Sequence, residues 1–258
     1  MKLPIPTPNA FNILVPDVVY YPEVELIAKT QLVEEKLSEK ARKDQDQGTD
    51  MERLTEAAGR ECYDSYGIGR SSEGFHKHIV EVGHGSVLRH VNWTFRISGV
   101  SRGLTHELVR HAAGVGISQR STRYCDETTS RMVMPPAYII FEADEPTVQT
   151  VKQEMQIILM RQHRQAVERY GELVEYGEGI KLSRKQARGA ARSVLGTDLE
   201  TSLVWTCNAQ AMTTILSQRW TDHAEAEIYR LAALLLAFVD RDMPAYFVPT
   251  PEGTIRRL

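Results

Sequence analysis

Between residues 87 and 97 the chain alternates. Val87 is followed by Val91, Trp93, Phe95 and Ile97, with Asn92, Thr94 and Arg96 in between. A period of two puts the large apolar side chains on one face and the polar ones on the other, which marks a strand with one buried side. A second run, Leu203-Val204-Trp205-Thr206-Cys207, reads as a short buried strand.

Helical signals surround these strands. Gly48-Thr49-Asp50 supplies a break and an N-cap before a helix over 52–62, and Ser71 or Ser72 caps a helix over 73–82 that Gly83 ends. Ser101 opens a short helix whose Leu104, Leu108 and Val109 share a face. Arg110 and His111 close it, and Gly114 is the expected stop. Residues 145–176 form one long helix with a Lys, Arg, Gln and Glu surface, and Ser183 caps another to about Val194. Asn208 caps a helix through Arg219. Asp222 begins the last helix, where Ile228, Leu231, Leu235 and Val239 make a core stripe. Residues 1–22 read as an extended arm ending in an edge strand at Val18–Tyr21, and 23–46 as a charged, solvated helix, so that 23–50 is a helical insertion at the start of a domain over 23–258. The state of Met132–Phe141 is left open. The mixed order of elements suggests one α/β or α+β domain.

One stretch carries the chemistry. Arg110-His111-Ala112-Ala113-Gly114-Val115-Gly116-Ile117-Ser118-Gln119-Arg120-Ser121-Thr122-Arg123-Tyr124 holds three arginines, a histidine and two serines, with no acid. Guanidinium forks and hydroxyls gathered this way suit a phosphate or another planar anion; a solvated basic loop is the plainer alternative.

The whole chain of 258 residues does not extend that basic character. Its 31 basic and 34 acidic side chains give a formal charge of −3, which argues against broad nucleic-acid or membrane attraction. Cys62, Cys125 and Cys207 are scattered, as expected in a reducing compartment, and no apolar run is long enough to span a bilayer. His84, His90, His106 and His111 match no zinc spacing. The expectation is a cytoplasmic protein that binds no metal, membrane or nucleic acid.

Three separated blocks, in this order, resemble the flavin-dependent thymidylate synthase family. The first is Gly83-His84-Gly85-Ser86-Val87-Leu88-Arg89-His90. The second is Thr105-His106-Glu107-Leu108-Val109-Arg110-His111 followed by Ser118-Gln119-Arg120-Ser121-Thr122-Arg123-Tyr124, and the third is Arg192, Asn208 and Arg219 at their spacings. The resemblance covers roughly residues 55–240. It implies an α+β domain with a central, mainly antiparallel sheet flanked by helices. It also implies C5 methylation of a uracil nucleotide, dUMP to dTMP, with FAD as cofactor and 5,10-methylenetetrahydrofolate and NADPH as co-substrates. The family's homotetramer implies active sites shared between chains.

Carried over by position, Arg219 and Ser121 are the catalytic candidates. Arg219 would hold charge at the pyrimidine carbonyl; otherwise it is a helix-end arginine paired to Asp222 or Glu225. Ser121 offers a hydroxyl but no evident local base, which favours ligand positioning over nucleophilic attack. Glu107, Arg110, Gln119, Arg120, Ser121, Thr122, Arg123, Arg192 and Arg219 would face the nucleotide, with Glu107 and Arg110 alternatively forming an ordinary ion pair. His84, Ser86, Arg110, His111, Ala112, Gln119, Asn208, Gln210 and Thr214 would face the flavin.

The chain departs from the family on the flavin side. Ala112 stands where the signature has its second arginine, and Arg89 where many members have a glutamate. Gln210 and Thr214 replace an arginine and an asparagine. Backbone N–H groups or Arg89 would have to replace the cation missing at Ala112. Two other readings stay open: a methylase acting on UMP, and a non-catalytic nucleotide-binding homologue that has lost flavin.

Overall fold

The computed structural model describes residue 12, residues 15–44 and residues 47–247. Most of the expected N-terminal arm lies outside them. Its described end forms β1 (Val18–Val19), which pairs in parallel with β5 (Met132–Val133).

The main sheet has four antiparallel strands. β2 (Glu23–Lys29), β3 (Asn92–Ser101), β6 (Glu200–Asn208) and β4 (Val115–Gln119) lie side by side in that order. The alternation in β3 sets the register. Trp93 stands opposite Cys207, Phe95 opposite Trp205 and Ile97 opposite Leu203, so every large side chain falls on the same face. Trp93, Phe95, Ile97 and Trp205 are fully buried. Each such burial stabilises by roughly 1.5–3 kcal/mol. The opposite face is polar, with Thr94 and Thr206 hydrogen-bonded across it at 3.0 Å.

Helices cover the apolar face. α8 (Ala226–Asp242) lays Ile228, Leu231, Leu235 and Val239 into the core, as its stripe requires. α7 (Ala209–Arg219) and α2 (Asp50–Tyr63) flank it, and α3 (Ser72–Val82) and α4 (Arg102–Leu108) close the ends. The caps read from sequence are present. The side chains of Thr49, Ser71, Ser101 and Asn208 each accept an N–H of the helix they precede, and Gly83 is left-handed. α5 (Pro146–Gly179) and α6 (Arg184–Ala191) pack together, and α5 covers the small β1–β5 sheet through Leu159 and Met160. Asp242, at the end of α8, accepts from Lys29 Nζ at 2.7 Å and from Trp93 Nε1 at 2.9 Å, and its carbonyl accepts from the Thr49 hydroxyl.

Five expectations need correction. The charged segment 23–46 is a strand in its first part, with only a short α1 (Glu39–Asp44) behind it. Val24 and Leu26 turn inward opposite Ile97 and Phe95, and pairing with β3 overrides the acidic composition. Val87 is not in the strand; Gly85–His90 form a 3₁₀ turn, and β3 starts at Asn92. α4 stops at Leu108. Arg110 and His111 lie in a tightened exit turn, donating to the carbonyls of Glu107 and Leu108. Gly114, at φ +75°, turns the chain into β4, where a loop was expected. The last helix starts at Ala226, because the Glu225 carboxylate caps it, accepting from the N–H groups of Glu227 and Ile228. Met132–Phe141, left open, contains β5 and a 3₁₀ turn over Pro136–Tyr138. Among the described residues no helix is long and apolar enough to cross a membrane.

Candidate active site

β4 divides the chemistry-bearing stretch into two groups. From Val115 to Gln119 the strand runs about 13 Å at ~3.3 Å per residue. Arg110–Gly114 precede it and Ser121–Tyr124 follow it, so the two groups lie toward opposite ends of one strand.

The first group lines a cleft of about 610 Å³ with Arg89, Arg110, His111, Ala112, Gly114, Asn208, Gln210 and Thr214 on its walls. Among the described residues no carboxylate lines it. Asn208 ties the walls together. Its backbone N–H donates to the Gly114 carbonyl at 3.0 Å, and its side-chain oxygen accepts the Ala211 N–H at 2.8 Å. A Cβ on Gly114 would fall 2.3 Å from Asn208 Nδ2, so only glycine allows this approach. Gln210 accepts from Arg89 Nε, and the Thr214 hydroxyl turns back to the Gln210 carbonyl. His84 and Ser86, in or beside the same 3₁₀ turn as Arg89, are exposed and do not line the cleft. His84 stacks on Tyr63 with ring centroids 6.3 Å apart.

At the cleft edge, Arg219 donates from Nε to His111 Nε2 at 3.0 Å and from Nη1 to Glu107 Oε2 at 2.8 Å. Neither Asp222, Glu225 nor Arg110 enters this arrangement; Glu107 spends its charge on Arg219. An arginine N–H can only donate, so His111 Nε2 must be the bare, accepting nitrogen. His111 is therefore neutral and carries its proton on Nδ1. Burial, followed by the Arg219 charge, holds its pKa below the usual histidine value, in keeping with that tautomer.

The second group sits beyond Gln119 and against α6. Gln119 Nε2 donates to Thr105 Oγ1 at 2.9 Å. Ser121 starts a turn. Its carbonyl accepts the Cys125 N–H, and its hydroxyl oxygen accepts the Arg123 N–H at 3.3 Å. Arg192, at the end of α6, donates to Thr122 Oγ1 at 3.4 Å. Arg123 is exposed and runs beside Gly189 of α6. Arg120 is directed elsewhere: its guanidinium grips Glu127, whose side chain is fully buried, at 2.5–2.6 Å. The charge on Arg120 is thus neutralised within the fold.

Two residues that anchor this group were not singled out from sequence. Arg188 binds the Tyr124 carbonyl and Asp126, and Lys185 lies 4.9 Å over the Tyr124 ring. The signal was a Ser183-capped helix with several cations on it; nothing local showed which loop it holds.

The sequence matches the model of the thymidylate synthase complementing protein family over residues 45–245. Flavin-dependent thymidylate synthase from Mycobacteroides abscessus is 36% identical over 231 residues, which is 87% of this chain and 88% of the relative. The protein of that name from Mycobacterium marinum is 37% identical over 246 residues, 90% and 91% of the two chains. Among solved structures, the UMP/dUMP methylase PolB from Streptomyces cacaoi, bound with 5-Br UMP, superposes with a TM-score of 0.67 at 21% identity. The match covers 90% of this chain and 94% of that one.

Proposed function

The chain belongs to the thymidylate synthase complementing protein family, and from that premise we propose that it is a flavin-dependent methyltransferase acting at C5 of a uracil nucleotide. The proposed substrate is dUMP, with 5,10-methylenetetrahydrofolate as carbon donor, FAD as the flavin and NADPH as reductant. The observation that carries the reading is the cleft whose walls hold Arg89, Arg110, His111, Asn208 and Gln210, with no carboxylate among the described residues that line it. Its residues fit a phosphate-bearing flavin. The Arg89 and Arg110 guanidinium groups would meet its phosphates and the amides of Asn208 and Gln210 a heterocycle edge, while Gly114 brings the wall close to Asn208 without a side chain in the way. When bound, the flavin supplies the hydride that completes the methyl group.

The protein's own part is binding, orientation and charge. Uracil C5 is a poor nucleophile, and a cation at the pyrimidine carbonyl favours electron density in the ring. Arg219 has five N–H donors, of which Nε is given to His111 and one on Nη1 to Glu107, leaving three for a ligand. Glu107 and His111 fix the plane of that fork before substrate arrives, so no reorganisation is needed at the moment of reaction. His111 Nδ1–H remains a neutral donor. Arg123, Arg192, Thr122 and the Ser121 turn would hold the nucleotide phosphate by charge-assisted hydrogen bonds. Ser121 Oγ accepts the Arg123 N–H, which supports positioning over nucleophilic attack. Because the two groups lie toward opposite ends of β4, the complete site would be assembled from neighbouring copies in a homotetramer.

The experiment is to load the purified protein with FAD and measure dTMP formed from dUMP, methylenetetrahydrofolate and NADPH. Yellow protein that turns over is expected. Protein that takes up no FAD, and forms no methylated nucleotide, defeats the proposal in favour of a non-catalytic nucleotide binder. UMP titrated alongside separates the substrates, since equal turnover of both removes the assignment to dUMP alone.

A further inference from the structure

Arg53, Arg60, Arg96, Arg120, Arg131, Arg188, Arg219 and Arg241 each pair with a carboxylate. Arg89 pairs with none among the described residues and has an amide partner in its place. Its Nε donates to the carboxamide oxygen of Gln210 at 2.5 Å, and no carboxylate among the described residues lines its cleft. An amide partner orients a guanidinium without cancelling its charge.

This pair is supported from behind. A Cβ built on Gly85 would lie 2.9 Å from Gln210 Nε2 and 3.4 Å from its amide carbon, so the bare backbone at 85 makes the space in which Gln210 stands. Gln210 in turn sits in the first turn of α7, whose positive dipole end opens on the same cleft. Gly85 seats Gln210, Gln210 aims Arg89, and Arg110 adds a second cation to the same walls. The cationic groups of the cleft thus come from two separated segments and converge on one volume, large enough for a dinucleotide-sized ligand in part or whole.

We infer that Arg89, aimed by Gln210 over Gly85, is an anion-binding residue of this cleft and holds the diphosphate of the bound flavin dinucleotide. The inference rests on the flavin reading and deepens it. It gives the cation absent at Ala112 a specific substitute on the opposite segment. It also makes cofactor choice depend on phosphate: a flavin lacking phosphate loses the Arg89 contact altogether.

Titration of FAD and of riboflavin into the full-length apoprotein, followed by flavin fluorescence, tests this without recourse to activity. Arg89→Ala should weaken FAD by roughly ten- to a hundredfold, the range of a charge-assisted contact, while riboflavin binding is unchanged. Gln210→Glu is the sharper variant. It preserves the hydrogen bond to Arg89 but neutralises it, so FAD should weaken about as much as in Arg89→Ala; a merely structural clamp would be kept or strengthened. Adding Ala112→Arg to Arg89→Ala should recover most of the lost FAD affinity, because a cation returns to the same walls. FAD affinity within twofold of the parent in Arg89→Ala, or equal loss of FAD and riboflavin, overturns the inference and leaves the flavin reading standing. Parent protein that binds no FAD overturns both.

Discussion

Replacing Arg219 with alanine separates chemistry from folding, and the structure sets both magnitudes. The arginine and its partner Glu107 are 23% and 34% exposed in their side chains. An ion pair this accessible contributes at most about 1 kcal/mol, because water replaces what is lost. For a domain of this size that shifts the melting temperature by only about 2–4 °C. The proposed role in the reaction is larger. Removing one preorganised donor from a site of developing charge costs about 10²–10³ in kcat, or roughly 3–4 kcal/mol. Arg219→Ala should therefore lower kcat for dTMP formation by at least about a hundredfold while the protein melts near its usual temperature. Steady-state assays on FAD-saturated protein, with kcat and KM resolved, and a thermal melt of the same sample measure the two effects. Arg219→Lys keeps the charge but loses the fork and should fall between. A kcat within tenfold of the parent would remove Arg219 from the chemistry; a melting temperature lowered in step with activity would make it a folding residue.

Three other outcomes can be measured independently. Gly114→Ala puts a methyl group 2.3 Å from Asn208 Nδ2 on a left-handed backbone, and should cost about 1–3 kcal/mol in urea unfolding while weakening FAD; an unchanged midpoint would show that the wall yields. Glu127→Ala strips Arg120 of its fully buried partner, and a loss of about 2 kcal/mol or more is expected, discounted for the partly exposed arginine. Burial lowers the pKa of His163, but its bonds to Asp198 and to the Ser130 carbonyl outweigh that and leave it raised. The stabilisation is then fully present below the unfolded value near about pH 6.5 and is lost as pH rises through the folded value. Melting temperature should fall over that window in the parent but not in His163→Gln, and parallel pH profiles would dismiss the effect.

What the sequence revealed was local. Thr49, Ser71, Ser101 and Asn208 cap helices within three residues of themselves, and the alternation at Trp93, Phe95 and Ile97 lies within one strand, so each could be read from its neighbours. β2 and β4 could not. The inward-facing Val24 and Leu26 beside Glu23 and Glu25, or Val115 and Ile117 among glycine and serine, become strands because β3 and β6 offer edges. The site divides in the same way. The acid-free run 110–124 suggested an anion site, but the partners that decide which cations are paired come from far along the chain: Glu107 and Arg219 are 112 residues apart, and Arg89 and Gln210 are 121 apart. The spacing already put Arg110 and His111 before a connecting segment and Ser121 and Arg123 after it; that the connection is the strand β4 rather than a loop depends on the edge of β6.

The carboxylate of Asp242 joins the end of α8 to β2 and β3. Lys29 lies 213 residues before it, Trp93 149 residues before it, and its carbonyl takes up the hydroxyl that caps α2. During synthesis, the outer edge of the main sheet and the head of α2 therefore wait for the last helix before they can lock. A chain interrupted shortly before that aspartate would leave an early strand, already translated in full, without its closing partner.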